Sequence, residues 1–365
     1  MADLLRYDLV PPPGGGFHFG RTGYAQEETA ESFPSDSLWA ALIATLAEEE
    51  GAAAAQALVD RLRTEEEPPF ALTSLFPRAG DVPFLPRPAL SLPLGEGGRE
   101  RPPKFGKRLR YVSPGILHLW LQGEDLAPYL PDEAWRSPRG CFLQGGVVWL
   151  TAEERARLPG DWAGVAPERL VRQKVWDVLP RPRVTVDRRS HASAVFRVAR
   201  LSFAPGCGLW VGVRFAAAPG PYGRAWWEAW LERLGHRGVG GDRSPGCGTF
   251  SWQARGPLPL PEGAGGDCAL LLSRYHPRRE ELEAGVLGDG AQYQLAFVSG
   301  YLASPEGPAR LRNRVALLEA GSVVRMAGGL PRGDLADVTP LGWSAHPIYR
   351  GGLALAVPIP GTCRR

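Results

Sequence analysis

The sequence predicts an α+β fold in which antiparallel strands outnumber helices. Short runs of alternating apolar and polar residues, typical of strands, recur along the whole chain. Helical periodicity is rarer and does not follow each strand. Two adjacent alternating runs, at 182–187 and 195–201, predict a basic antiparallel hairpin. These observations favour an α+β architecture over a doubly wound parallel sheet, which needs regular alternation of strand and helix.

Length and composition are those of a globular chain with room for two domains. The chain has 365 residues, of which 44% are hydrophobic. A proline- and glycine-rich stretch at 256–266 predicts a boundary between a domain at 1–258 and a domain at 266–365. The sequence has no run of 18 apolar residues and no basic-then-apolar leader. We therefore expect no membrane span, no signal peptide and a cytoplasmic location.

The cysteines and histidines indicate neither a disulfide framework nor a metal site. The five cysteines are widely separated and include no Cys-x-x-Cys pair, so we expect free thiols. The histidines lack the spacing of metal ligands, and no other cofactor is expected. The cysteines are Cys141, Cys207, Cys247, Cys268 and Cys363.

The N-terminal elements begin with a strand at 4–9 and two helices. Ser35 or Asp36 is a good N-cap for the first helix. The glutamates at 48–50 are unfavourable at a helix C-terminus, so the helix is expected to stop earlier or to end in solvent. The elements expected after the second helix are strands at 70–76, a short helix after Ser113, a strand pair at 141–150, the hairpin, strands at 209–215 and 249–254, and C-terminal strands at 269–272, 292–298, 322–326 and 353–357.

The most distinctive segment is a glycine-rich loop at 238–250, between an amphipathic helix and a strand. The helix carries an apolar stripe from Trp226 to Leu234, and Gly235 is predicted to end it in the left-handed conformation. The loop lacks the lysine of a P-loop, and the order from helix to strand is wrong for a dinucleotide fingerprint. Its glycines could let backbone amides approach an anion, and Arg243 could match a phosphate. Spacing alone leaves a flexible surface hairpin as the alternative.

Charge is distributed unevenly, although the net charge is only +3. Acidic residues are concentrated at 27–67, and basic residues at 99–110 and 181–200. Such asymmetry indicates a polyanion partner for the basic segments and a protein partner or solvent for the acidic segment. Codon bias toward arginine is the alternative explanation, because the chain has only three lysines.

Four segments, in order, resemble a known family. They are Phe17-His18-Phe19-Gly20 followed by Pro34-Ser35-Asp36-Ser37-Leu38-Trp39-Ala40-Ala41-Leu42, then Arg183-Val184-Thr185-Val186-Asp187-Arg188, the glycine-rich loop, and His346-Pro347-Ile348-Tyr349-Arg350-Gly351-Gly352. Together they are similar to subunit 4 of the Csm complex, a RAMP-superfamily family of type III-A CRISPR effectors. The loop departs from the family pattern, because Asp242 precedes Arg243 and Pro245 follows Ser244.

The resemblance implies two ferredoxin-like (RRM-like) RAMP domains and a non-catalytic role in antiviral defence. The implied partners are the 5′ handle of the CRISPR RNA (crRNA), the large Palm-domain subunit, the first backbone RAMP subunit and, through the complex, nearby target RNA. It also implies that the hairpin at about 184–200 is the thumb that displaces a nucleotide. The positions then expected to contact RNA are His18, Phe19, Arg21, Lys104, Lys107, Arg108, Arg110, Arg188, Arg189, Val195, Gly238, Gly240, Gly241, Arg243, Ser244, Gly246 and Gly248.

Two alternatives remain open. A repeat-processing RAMP endoribonuclease would use His18 as a general base, with Tyr24 as the nearest phenol. A structural or stacking role is the preferred interpretation of His18, since no lysine lies near it in sequence. The equivalent subunit of a type III-B complex would share the RNA chemistry and differ only in its partners.

Overall fold

The computed structural model describes residues 3–20, 28–95, 104–186, 193–260, 266–302, 307 and 310–361. The N-terminal elements are β1 (Leu5–Val10), α1 (Ser35–Glu50), α2 (Ala52–Thr64), β2 (Phe70–Leu72), β3 (Phe76–Ala79), β4 (Val82–Pro83), β5 (Leu85–Pro86), β6 (Tyr111–Val112), α3 (Pro114–Gln122), β7 (Gly140–Leu143), β8 (Val148–Thr151), α4 (Pro167–Leu170), β9 (Trp176–Val186), β10 (Ser193–Phe203), β11 (Cys207–Phe215), α5 (Arg224–Arg237) and β12 (Ser251–Pro257). The C-terminal elements are β13 (Cys268–Leu271), α6 (Arg279–Glu283), β14 (Leu295–Val298), β15 (Val315–Leu318), β16 (Val323–Arg325), β17 (Gly333–Asp337), β18 (Tyr349–Leu353) and β19 (Ala356–Ile359). The predicted α+β class is confirmed.

The largest sheet is antiparallel, with the order β12-β1-β11-β3-β4 and with β2 also paired to β11. Helix α5 packs on one face, where the ring of Trp227 lies 6.1 Å from that of Tyr7. The predicted stripe is buried except for Trp226, which is half-buried, and Gly235 does not end the helix. The helix continues to Arg237, and Gly238, with φ +77°, follows it. Gly235 is instead a point of close packing, because a Cβ there would lie 2.4 Å from the carbonyl oxygen of Phe250.

A second sheet, in the order β5-β6-β8-β7, carries α3. Ser113 caps α3 as predicted, since its Oγ accepts a hydrogen bond from the backbone N–H of Ile116 at 3.3 Å. Gly123, in the left-handed conformation, ends this helix. The β6–β8 pair is parallel, in contrast to the other strand pairs among the described residues.

Helix α1 differs from the prediction at its start. Neither Ser35 nor Asp36 makes an N-cap hydrogen bond, and Pro34 occupies the N-cap position. Both predicted caps are buried against the C-terminal part of the chain instead. The Oγ of Ser35 accepts a hydrogen bond from the backbone N–H of Arg274 at 2.8 Å. The two side chains that the sequence pattern assigned to capping therefore make tertiary contacts instead.

Helix α1 also continues through the glutamates at its end rather than stopping before them. Glu48, Glu49 and Glu50 are exposed, as the second alternative predicted. Arg233 of α5 pairs with Glu49 at 3.4 Å and with Glu50 at 2.8 Å. These cations offset the unfavourable interaction between the carboxylates and the helix C-terminus.

The C-terminal part contains a sheet in the order β16-β13-β19 and the hairpins β14–β15 and β17–β18. One buried apolar cluster includes Trp39 of α1 and Leu353 of β18, from opposite sides of the predicted domain boundary. Gly351 permits this contact, because a Cβ there would lie 2.8 Å from the Cβ of Trp39. The two parts therefore pack directly on each other.

Among the described cysteines, the pairing of Cys268 differs from the prediction. Cys141, Cys207 and Cys247 are free and buried. Cys268 is disulfide-bonded, so the expectation of a free thiol there was wrong. Its strand pairs with β19, so Cys268 lies opposite Ile359 in the register. Spacing in the sequence could not reveal this neighbour.

No helix among the described residues is both long enough and apolar enough to cross a membrane.

Candidate nucleic-acid interface

The glycine loop, residues 238–250, is fixed to the protein by its own backbone. The amides of Gly241 and Gly248 donate to the carbonyl oxygens of His18 and Gly16, each at 2.8 Å. The amides of Gly238, Val239, Gly246 and Phe250 also donate to protein carbonyls. These six amides are therefore engaged within the protein, which restricts the predicted amide nest for an anion to the rest of the loop.

Two loop glycines are required by close packing rather than by a ligand. A Cβ at Gly240 would lie 2.4 Å from the carbonyl oxygen of His18, and a Cβ at Gly248 would lie 2.2 Å from that of Val239. Both have φ values, +86° and +88°, that side chains with a Cβ rarely adopt. Gly246 has a similar φ of +82°, but a Cβ there would meet nothing within 4 Å. The prediction that these glycines contact RNA remains a prediction.

His18 and Phe19 pack against the glycine loop. His18 is 8% exposed, and its Nδ1 lies 2.8 Å from the carbonyl oxygen of Ala199 in β10. Phe19 is 2% exposed, and its ring stacks on those of Phe17 and Phe33 at 5.3 and 4.7 Å. Neither ring is an open platform in this conformation. The structural interpretation of His18 fits its position.

The exposed side chains at the turn of the loop are Arg243, Ser244 and Pro245. The preceding Asp242 adopts a positive φ of +55°. Its carboxylate accepts a hydrogen bond from Arg183 of β9 at 2.7 Å. Asp242 therefore connects the loop to the β9–β10 hairpin, which leaves Arg243 as the loop cation that faces outward.

Arg243 lies on the edge of a cleft of about 900 Å³ between the N-terminal and C-terminal parts of the chain. Gly238 and Gly240 of the loop also line it, as do five arginines and three glutamates. The arginines are Arg237, Arg243, Arg274, Arg312 and Arg350, and the glutamates are Glu31, Glu48 and Glu319. Of these arginines, the sequence had predicted only Arg243 as a site residue.

Ion pairs that join the two parts of the chain form the floor of the cleft. The fully buried carboxylate of Asp36 contacts Arg350 at 2.5 Å and Arg274 at 3.2 Å. Arg274 also contacts Glu319 at 2.7 Å. Burial tends to lower the pKa of Arg274, but the hydrogen bond with Glu319 and the charge of Asp36 raise it overall. These two arginines are thus held in place with their charges paired.

Arg312 is different, because it has no carboxylate in contact among the described residues. Its guanidinium donates to the carbonyl oxygens of Gly300 at 3.2 Å and Ser299 at 3.5 Å. Burial lowers the pKa of Arg312, and the neighbouring charge of Arg350 lowers it further, against a smaller opposite effect of Asp36. A bound anion would compensate this desolvated cation.

A second cavity, of about 530 Å³, adjoins the cleft at Glu31 and Glu319, which line both. Lys107 and Arg110 of the predicted basic segment line this second cavity, together with Arg87. The guanidinium of Arg110 pairs with Glu31. The side chain of Arg108 is exposed and is not part of the lining. The cleft and the cavity are thus neighbours, and cations are part of the lining of each.

Four predicted contacts fall outside what the structure describes. Arg21, Arg188 and Arg189 lie outside the described residues, as does the side chain of Lys104. Tyr24, the phenol considered beside His18, also lies outside them.

The predicted basic hairpin is confirmed and is longer than expected. Both β9 and β10 have 11 residues, and Val195 pairs with Val184. Pro180 and Pro182 lie within β9, which a two-stranded ribbon with open edges accommodates. Val184 and Val195 are 59% and 71% exposed, so apolar side chains project near the tip. The prediction that Val195 contacts RNA remains a prediction.

The C-terminal part of the chain matches a known protein family. A family model described as the CRISPR Csm4 C-terminal domain matches residues 265–359. Residues 265–359 are therefore similar to a Csm4 C-terminal domain. The resemblance to Csm4 predicted from the sequence is thereby confirmed.

Solved structures extend the similarity in fold over almost the whole chain. A chain of a structure described as the Csm3-Csm4 subcomplex of the type III-A CRISPR-Cas interference complex has a TM-score of 0.65 and 16% identity, covering 97% of this chain and 99% of that one. A chain of the Csm1-Csm4 cassette in complex with cA4 has a TM-score of 0.55 and 15% identity, covering 98% of both chains. No curated protein matches. At these identities the structures establish a shared Csm4-type fold.

Proposed function

We propose that this chain is the subunit of a type III-A CRISPR effector complex that binds the 5′ handle of the crRNA. The observation that carries this proposal is the cleft in which the glycine loop faces the arginines of the C-terminal part. Five arginines against three glutamates give its lining an excess of positive charge. Such a depression suits a single-stranded polyanion whose backbone is gripped and whose bases are splayed.

The roles of the lining residues follow from their partners. Arg274 and Arg350, already paired with carboxylates, shape the floor. Arg243 and Arg312 lack such partners among the described residues and are the cations assigned to phosphate. The glycines allow the loop to lie close against the His18 segment, so that Arg243 is held at the edge of the cleft.

A binding role fits the chemistry of the site better than ribonuclease activity. A general base must reach the ribose 2′-OH within hydrogen-bonding distance. The ring of His18 is buried under the loop and its Nδ1 is engaged by the carbonyl oxygen of Ala199.

The proposed partners follow from the structural neighbours. Because the chain shares its fold with chains of Csm1-Csm4 and Csm3-Csm4 assemblies, we assign it contacts with a large Palm-domain subunit and with the first backbone RAMP subunit. The β9–β10 hairpin, with Val195 exposed near its tip, is assigned as the thumb that displaces a nucleotide of the guide–target duplex. A role in antiviral defence follows from membership of such a complex.

The test measures RNA affinity in the full chain as a function of salt. The probe is a fluorescently labelled single-stranded RNA that carries the repeat-derived handle. The variants Arg243→Glu and Arg312→Gln should weaken binding several-fold and lower the slope of log K against log salt by about 0.7 for each phosphate that the variant no longer neutralises. The matched control is Arg279→Gln, which removes an arginine that is 86% exposed and lies outside the cleft.

Equal affinities and slopes for the wild type and both cleft variants would refute the cleft as the RNA site. Copurification of the tagged chain with crRNA and a large Palm-domain subunit tests its place in the complex. Incubation with repeat RNA without metal tests the enzyme alternative. Specific products that disappear in His18→Ala would refute the non-catalytic assignment.

A further inference from the structure

Hairpin β14–β15 exposes apolar side chains on one face. Leu295 and Phe297 are two residues apart on β14, so they project to the same side, and they are 49% and 60% exposed. The residue opposite Phe297 in the register is Ala316 of β15, which is also exposed and too small to cover the ring. A phenylalanine with this exposure forfeits the free energy gained by burying an aromatic ring.

A cation lies directly over the exposed ring. The guanidinium carbon of Arg314 is 4.4 Å from the centroid of the Phe297 ring, within the range of a cation–π interaction. A planar guanidinium over an aromatic ring is an arrangement on which a nucleobase can stack while its phosphate meets the positive charge. Phe297 and Arg314 together therefore offer an aromatic surface for a base and a positive charge for a phosphate.

The position of Phe297 connects this pair to the proposed RNA site. Phe297 lines the same cleft as Arg243, and so do Val298, Ser299 and Gly300, which follow it in the chain. Gly300 is the residue whose carbonyl oxygen holds Arg312 at 3.2 Å. A strand of RNA whose phosphates contact Arg312 would thus have a base within reach of the Phe297 ring.

We propose that Phe297 and Arg314 form a base-stacking subsite for single-stranded RNA at the edge of the cleft. This inference rests on the proposed function, because it assigns a base to a cleft whose arginines hold the phosphates. RNA fits this face better than an apolar protein segment does. A protein segment would cover Phe297 and leave the cations of the cleft without negative charge.

The test separates recognition of bases from recognition of phosphates. The probes are a labelled RNA of about ten nucleotides of mixed sequence, within the span of single-strand sites, and a strand of the same length with abasic riboses. The wild-type chain should bind the abasic strand about tenfold more weakly, and Phe297→Ala should weaken binding of the normal strand by about the same factor. Phe297→Ala should bind the two strands almost equally, because its stacking platform is gone. Phe297→Tyr should restore discrimination between them.

The control variant is Leu341→Ala, which truncates a side chain that is 97% exposed and lies outside the cleft. The salt slope of Phe297→Ala should equal that of the wild type, since no phosphate contact is removed. If the wild type binds RNA but does not distinguish the abasic strand, the stacking subsite is refuted and the RNA cleft stands. If neither strand binds, or if Arg243→Glu and Arg312→Gln both leave the affinity and the salt slope unchanged, the proposed function fails as well. If Phe297→Ala keeps full RNA affinity but loses a partner subunit, this face is a protein interface and the inference is overturned.

Discussion

The substitutions Gly240→Ala and Gly246→Ala separate the two reasons for which a glycine can be required in this loop. Both residues have a positive φ, +86° and +82°. They differ in the space around them, since a Cβ at Gly240 would lie 2.4 Å from the carbonyl oxygen of His18, whereas a Cβ at Gly246 would meet nothing within 4 Å. The pair therefore has nearly the same backbone cost and a very different steric cost.

The expected magnitudes follow from these geometries. A positive φ costs an alanine about 1–2 kcal/mol, and the loss of glycine flexibility in the unfolded chain returns about 0.4–1 kcal/mol. Gly246→Ala should thus lower the free energy of unfolding by about 1 kcal/mol. Gly240→Ala must also separate the loop from the His18 segment, which costs about 1–3 kcal/mol of strain and about 1 kcal/mol for the hydrogen bond from Gly241 to His18. Its total should reach about 3–5 kcal/mol.

Urea unfolding followed by intrinsic fluorescence measures both variants, since the chain has 12 tryptophans. The difference between them is the quantity of interest, because their shared backbone cost cancels. If Gly240→Ala were no less stable than Gly246→Ala, the glycines of the loop would not be fixed by packing against His18. The description of the loop as a rigid support for Arg243 would then be wrong.

Two further predictions concern buried charge. Asp36→Asn should lower the free energy of unfolding by about 3–5 kcal/mol, because Arg274 and Arg350 lose a fully buried carboxylate. The control Asp132→Asn removes the charge of an exposed pair with Arg136 and should lower it by less than about 1 kcal/mol. Similar urea midpoints for the two variants would contradict this prediction. Burial lowers the pKa of His276, against smaller opposite effects of Asp334 and Glu281. The contribution of neutral His276 to stability is therefore complete above the unfolded pKa of about 6.5 and decreases as the pH falls below that value. His276→Gln should therefore flatten the acid side of a stability–pH curve, and an unchanged slope between about pH 6.5 and pH 5 would rule out this assignment.

Local patterns predicted the elements whose residues interact mainly with their neighbours in sequence. The stripe of α5, the cap of α3 and the long hairpin are determined by periodicity and by turn chemistry, and all three are present. The exact end of α5 could not be predicted, because Gly235 and Gly238 are both plausible stops. Only the approach of the Phe250 backbone distinguishes them.

The candidate site was harder to predict because its side chains come from distant positions. Arg243 stood out through the surrounding glycines, but Arg274 and Arg312 have no local signature. Ser35 and Asp36 looked like helix caps because no sequence pattern indicates that an arginine more than 200 positions later will bind them. The segment ending in Arg350-Gly351-Gly352 was identified by resemblance alone, and its physical reason is the contact of Gly351 with Trp39.

The Asp36–Arg350 ion pair has a consequence for the order in which the protein acquires its groove. The two residues are 314 positions apart. A ribosome must therefore release almost the whole polypeptide before Asp36 can meet its second cation. Until then the nascent chain has the glycine loop but lacks the C-terminal side of the cleft, so the cleft is complete only when nearly all of the chain has been synthesised.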